Sequence, residues 1–167
     1  LLDICSSQYR ITTSKSVYDE AVLGFPKNAI EKIFRKVSVE TKYDNVEYQR
    51  IFSYLRDRYP YLGEGELSIA IVALLAYDMN GVSSYVVTDD MRFKKKFSEI
   101  LEAPPVRSIL GTKKSSVRVT GTVGLVRQLF RRGRVPPDMM RCIISDLQKG
   151  TLYITDKLID ELRECLK

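Results

Sequence analysis

Residues Gly63 to Asp90 read GEGELSIAIVALLAYDMNGVSSYVVTDD, and the rest of the chain is organised around them. The stretch opens with two acids, Glu64 and Glu66, and continues as an apolar run from Leu67 to Ala76. The length of that run and its Ala and Leu content predict a buried helix. A turn containing Gly81 leads to Ser84-Tyr85-Val86-Val87-Thr88, a short aromatic and β-branched run that predicts a buried strand. Asp89 and Asp90 follow it directly. Carboxylates thus stand at the head of a helix and at the end of a strand. In a parallel sheet both places lie on one rim, where the carboxyl ends of strands form a binding crevice.

Upstream, Leu1 to Ser7 reads as the tail of a helix and Tyr9 to Thr13 as a short strand. Ser14 is an N-cap for a helix through Val17 and Glu20 to Leu23, broken by Gly24-Phe25-Pro26. Asn28 to Val37 is amphipathic at helical spacing, and Ser38 to Asp44 fits a strand or a loop. Val46 to Tyr59 predicts a helix with Ile51, Tyr54 and Leu55 on one face, ended by Pro60.

Downstream, Met91 to Leu101 is a basic amphipathic helix with Phe93, Phe97, Ile100 and Leu101 facing inward; Ala103-Pro104-Pro105 stops it. Arg107 to Ser116 reads as a loop and Val117 to Thr120 as a strand. Gly121-Thr122 opens a helix from Val123 to Arg132 that Gly133 closes. Two further helices follow, one from Pro136-Pro137-Asp138 to Gly150 and one from Asp156 to Leu166, with Tyr153-Ile154-Thr155 between them. Strands separated by helices predict an α/β sandwich with a mostly parallel sheet. Without a repeat or linker, residues 1–167 are expected to form a single domain, the helices of 136–167 packing on it.

Composition narrows the chemistry. The chain has 167 residues, 44% apolar and 29% charged, which is the profile of a globular protein with a core. No apolar run is long enough to cross a bilayer, and the first residues lack the form of a signal peptide, so a cytoplasmic protein with no membrane partner is expected. Cys5, Cys142 and Cys165 are scattered and odd in number, which fits neither a disulfide framework nor a zinc knuckle. There is no histidine in the chain, so its residues cannot supply a Ser-His-Asp or Cys-His nucleophile, an HExxH zinc site or a histidine general base. Catalysis by this chain falls to carboxylates, Lys, Tyr or Ser, or to a metal held by oxygens, for which Mg²⁺ and Mn²⁺ are suited.

The net charge of +6 is uneven: Arg92 to Arg134 carries 12 Lys/Arg against Glu99 and Glu102, a balance of +10, and the remainder carries −4. A basic third beside acids fits a polyanion held near a metal site, although any single basic run equally serves as a solvated helix face. Each acid also has a plain structural use. Glu64 and Glu66 suit the first turn of a helix through the macrodipole, and Asp89 or Asp90 suits the cap of the helix beginning near Met91. Their coincidence at the edge of an apolar core favours the functional reading, since crowded carboxylates repel unless a cation joins them.

The segments GEGELSIAIVALLA, YVVTDDMRFKKKF and VRVTGTVGLVRQLFRRGRV, in that order, resemble a PIN-domain protein. The likeness is to the branch related to VapBC toxins, with its G-E-x-E helix start, its T-D-D strand end and its V-T-G-T-x-G-x-L segment. SVYDEA and the closing GTLYITDKLIDEL also fit. The resemblance implies a three-layer α/β/α sandwich and a Mg²⁺- or Mn²⁺-dependent endoribonuclease, as in the toxin of a toxin–antitoxin pair. It implies RNA, an antitoxin protein and a second copy of the chain as partners. By the same resemblance Glu20, Glu66 and Asp90 are catalytic and hold the metal with Asp89, while Glu64 is a secondary candidate. Ile69 and Ala70 occupy the family's small and apolar places. Thr88 would orient a bound water or a ligand carboxylate. Arg92, Lys94 and Lys95 would bind RNA phosphates, or serve only as surface charge.

One departure from the family pattern concerns its first strand, which ends in a metal-binding Asp. Asp3 lies too close to Glu20 to be that residue, so Leu1 to Ile4 aligns with the end of the first helix. The first strand is then expected to lie outside these residues, or its ligand to have been lost. The second case predicts a nuclease-inactive module that binds RNA or a protein. A third reading, a DNA-reading helix-turn-helix in the last two helices, fits poorly, because Asp160, Glu161 and Glu164 face only Arg163 and Lys167 on the final helix.

Overall fold

The computed structural model describes residues 1–41, 45–111, 116–149 and 154–166. Its elements run α1 (Leu2–Gln8), β1 (Thr12–Ser14), α2 (Lys15–Gly24), α3 (Lys27–Phe34), β2 (Ser38–Glu40), α4 (Val46–Arg58) and α5 (Glu64–Asn80). They continue as β3 (Ser84–Val87), α6 (Met91–Glu102), α7 (Pro104–Leu110), β4 (Val117–Thr120), α8 (Thr122–Arg131), α9 (Pro137–Lys149) and α10 (Asp156–Glu164). The architecture is mixed α/β and dominated by helices.

Helix α5 is the hub. Leu67, Ile71 and Leu74 are fully buried, and Ala70, Val72, Ala73 and Leu75 are nearly so. A helix apolar nearly all round must be covered on several sides, and α2, α4, β1, β3 and α7 all pack on it. Truncating any of its three fully buried side chains to Ala would cost about 2–5 kcal/mol. At its end the chain reverses through Gly81, whose φ of +62° is the left-handed conformation that glycine adopts without strain.

The strands are parallel, as the alternation with helices predicts, but they make two separate ladders. β1 pairs with β2 in the register Thr12↔Ser38 to Ser14↔Glu40, and β3 pairs with β4 from Ser84↔Val117 to Val87↔Thr120. Both β1 and β3 rest on α5, yet each bonds to a different neighbour, so among the described residues no ladder joins them. One apolar cluster gathers α4, α5, α6, α7 and the α5-facing side of the β3–β4 ladder. A second gathers Cys5 with the buried faces of α8, α9 and α10.

Several local expectations shift. Tyr9 is the C-cap of α1, its N–H bonded to Cys5 O at 2.8 Å, so the strand expected from Tyr9 begins only at Thr12. Tyr54, expected with Ile51 and Leu55 on the inner face of α4, is 41% exposed, and Phe52 is buried in its place. Ala103-Pro104-Pro105 ends α6 as expected but also starts a helix: proline at the first helical positions forfeits no bond, so Pro104 to Leu110 coils as α7 where a loop was expected. The remaining expectations for residues 42–44, 112–115, 150–153 and 167 lie outside the described residues. Among the described residues no helix is long and apolar enough to cross a membrane.

Candidate active site

β1 ends in Ser14, whose hydroxyl accepts a bond from Val17 N–H at 3.3 Å and so caps α2, as the sequence predicts. That hydroxyl is also hydrogen-bonded to Ser68 Oγ at 2.7 Å, and both serines are fully buried. The bond joins the start of α2 to the first turns of α5, and it carries Glu20 over the head of α5. A methyl group at Gly65 would come within 2.9 Å of Glu20 Oε1 and 3.1 Å of Val17 Cγ2. Gly65 is therefore a glycine because α2 approaches this closely.

Glu66 lies one residue further along. Its Oε2 accepts the Gly63 backbone N–H at 2.7 Å, closing the first turn of its own helix. This is half of a capping box, in which a carboxylate both satisfies an orphan N–H and faces the positive end of the helix dipole. Glu64, on the same turn, is exposed. Glu20 and Glu66 are thus brought to one helix terminus.

The acids after β3 are held differently. Asp90 caps α6: its Oδ1 accepts Arg92 N–H at 2.7 Å and Phe93 N–H at 2.8 Å, and Arg92 Nη2 is 3.6 Å from its Oδ2. The bond from Phe93 N–H, then that from Arg92 N–H and the Arg92 charge, outweigh burial and hold its carboxyl below the usual carboxylate range. The Asp90 N–H donates to Thr88 Oγ1 at 3.2 Å, so Thr88 orients the backbone of an acid.

Asp89 reaches across to β4 and α8. Its two oxygens meet Thr122 N–H at 3.0 Å and Thr122 Oγ1 at 2.5 Å, and Lys94 Nζ is 3.5 Å from Oδ1. A side chain at Gly121 would collide with the Lys94 ammonium and come within 2.6 Å of Asp89 Oδ1. Lys95, the next residue along α6, is exposed, whereas Lys94 is half-buried.

The plain uses foreseen for three of these acids are therefore realised, Glu64 and Glu66 as first-turn acids of α5 and Asp90 as the cap of α6. The geometry brings Glu20 and Glu66 each to the head of α5, and joins Asp89 with Lys94 and Thr122, and Asp90 with Arg92. Among the described residues no three acidic or thiol side chains converge as a ligand set for a metal ion. Protein cations are seated beside two of the acids, Lys94 beside Asp89 and Arg92 beside Asp90. The residues that sequence reasoning missed are Ser68, Thr122 and Gly121. A lone serine inside the apolar run of α5 was the available signal for the first. Comparison with protein-family models, with curated proteins and with solved structures finds no match to this chain.

Proposed function

We propose that the chain is a PIN-type, Mg²⁺- or Mn²⁺-dependent endoribonuclease of three-layer α/β/α build. The observation that carries this reading is the contact of Glu20 with Gly65. It sets a carboxylate of α2, the helix that follows β1, against the head of α5, the helix on which β3, the strand that leads to Asp89 and Asp90, also rests. Hard carboxylate oxygens are the donors that both ions prefer. A bound ion would supply an activated water and neutralise phosphate charge.

The chain's own cations fit the same reading. Lys94 beside Asp89 and Arg92 beside Asp90 stand in for positive charge at the rim. Exchange of those partners for a metal would release both side chains, with exposed Lys95, to the phosphates flanking the scissile bond. On this reading the partners are RNA, an inhibitory antitoxin protein and a second copy of the chain, and the protein works in the cytoplasm.

The test is cleavage of single-stranded RNA by the full chain in Mg²⁺ or Mn²⁺. EDTA is expected to stop it, and Glu66→Gln or Asp90→Asn to lower it at least a hundredfold without loss of fold. Full activity in both variants would exclude this mechanism.

A second reading is a nuclease-inactive module that binds RNA or a protein. The use of Glu66 and Asp90 as helix caps favours it, since neither then needs a metal to explain its place. It predicts salt-sensitive RNA binding with no metal-dependent cleavage.

A further inference from the structure

β3 presents its two sides unequally. Val86 is 3% exposed and faces α5, while Tyr85 and Val87 on the other side are 38% and 44% exposed. Across the ladder their register partners are Arg118 and Thr120. Paired residues of neighbouring strands share a face, so one open face carries an aromatic ring, an exposed arginine, a valine and a threonine.

The ring is held in place. Gln128 Nε2 on α8 donates to the Tyr85 hydroxyl at 3.3 Å, which fixes the polar edge of the ring. Arg132, just past the end of α8, donates to the Tyr9 hydroxyl at 2.9 Å. The Gln128 bond first, then the charges of Arg118 and Arg132 and a hydrogen bond with the Arg118 side chain, outweigh burial and draw the Tyr85 phenol below its ordinary value, so both cations lie beside the ring.

We propose that this face of the β3–β4 ladder is a stacking platform for single-stranded RNA, with Tyr85 under a base and Arg118 and Arg132 against flanking phosphates. An exposed tyrosine on a strand is by itself ordinary. The combination with two arginines is the pairing that single-strand binders use, because every base offers a π-face and every linkage a charge. A duplex hides its base faces and would gain only the charge term. β3 also runs directly into Thr88, Asp89 and Asp90. At the rise of an extended strand Tyr85 lies about 13 Å from Asp89, the span of a few nucleotides. The platform rests on the nuclease reading and adds to it the surface on which the unpaired substrate strand would lie, and its binding step requires no metal.

The experiment is fluorescence anisotropy of a labelled octauridylate with the full chain in EDTA, at low and moderate salt. Binding that weakens with salt is expected. Tyr85→Ala and Tyr85→Leu are expected to weaken it about tenfold, within the range of one lost base stack. Tyr85→Phe keeps the ring and Gln128→Ala frees only its hydroxyl end, so each should weaken binding less than Tyr85→Leu. Arg118→Ala should weaken binding and lower the salt slope by about one. Parent-like binding by folded Tyr85→Leu, or equal loss in Tyr85→Phe, overturns the proposal. So does equal affinity for a duplex of the same length, or self-association through this face in place of RNA binding. Intact binding with no cleavage in Mg²⁺ or Mn²⁺ would sink the nuclease reading and leave the platform standing.

Discussion

Ser14 and Ser68 form a fully buried hydroxyl pair, 2.7 Å apart, between the end of β1 and the second turn of α5. Each oxygen has further work: Ser14 Oγ accepts Val17 N–H, and Ser68 Oγ lies 2.8 Å from Gly65 O. The pair is the polar pin that sets α2 against the head of α5 and so determines where Glu20 sits. Ser68→Ala removes one hydroxyl from a satisfied network and leaves Ser14 bonded only to Val17. A loss of about 1–3 kcal/mol is expected, read as a lowered urea midpoint. Ser68→Ala should also lower cleavage while leaving octauridylate binding at Tyr85 unchanged. An unaltered midpoint would show the pin to be idle.

Gly65→Ala tests the same juncture from the other side. The added methyl would stand 2.9 Å from Glu20 Oε1, so the Glu20 side chain must turn away or α2 must shift. Overpacking of this kind costs about 1–3 kcal/mol. Glu20→Ala in the same chain removes the nearer obstacle, leaving Val17 Cγ2 at 3.1 Å. A double-mutant cycle is expected to show a favourable coupling of about 0.5–3 kcal/mol, measured by chemical denaturation. Strict additivity would mean that Glu20 does not lie against Gly65.

Gly121→Ala addresses the second juncture. Its methyl would meet Lys94 and Asp89 together. Lys94 is the flexible end of a long side chain and can give way, whereas Asp89 is held by Thr122. Gly121→Ala is therefore expected to lower stability by about 1–3 kcal/mol, and Lys94→Ala to restore only part of it. Full restoration, seen in thermal melts of the single and double variants, would shift the clash entirely onto Lys94.

Much of the frame was legible in the residues because it depends on local pattern. The apolar run of α5 predicts its burial, the β-branched run predicts β3, and Ser14 predicts the cap of α2. Legibility failed where the outcome depends on a partner distant in sequence. Ser68 bonds 54 residues back to Ser14, and Asp89 bonds 33 residues on to Thr122, and neither spacing has a local signature. α7 failed for a different reason. A Pro-Pro pair ends one helix and begins the next equally well, so the sequence fits a loop after it as readily as it fits α7. Among the site residues, acid type and position were readable, but the side-chain direction was not. Glu66 turns back on its own helix and Asp90 turns toward α6, each toward the nearest unpaired N–H.

Asp90 makes stability depend on pH in a defined direction. Its folded-state carboxyl is held below the ordinary range, first by the Phe93 N–H. A depressed folded value means that the ionised cap contributes fully above the unfolded value of about 3.9. That contribution fades as pH falls toward the folded value. Asp90→Ala should cost about 0.5–2 kcal/mol at neutral pH. Asp90→Asn, which keeps a cap acceptor without a charge, should cost less. The gap between the parent and Asp90→Asn is expected to close as pH drops below about 4, tracked by urea unfolding across that interval. A gap that widens in acid would reverse the sign and remove Asp90 as the charged cap.

Glu66 separates structure from chemistry, because its cap needs an acceptor and a metal needs an anion. Glu66→Gln still presents an amide oxygen to the Gly63 N–H, so its stability should stay close to that of the parent. Glu66→Ala leaves that N–H to solvent and is expected to lose about 1 kcal/mol. If Glu66 also serves the proposed nuclease, both variants lose cleavage alike, since neither carries a carboxylate. If its work is only the cap, activity follows stability and Glu66→Gln cleaves like the parent. Paired measurements of unfolding midpoint and RNA cleavage on these two variants therefore read the two roles of one side chain independently. Cleavage intact in Glu66→Gln but reduced in Glu66→Ala would leave Glu66 as a cap and nothing more.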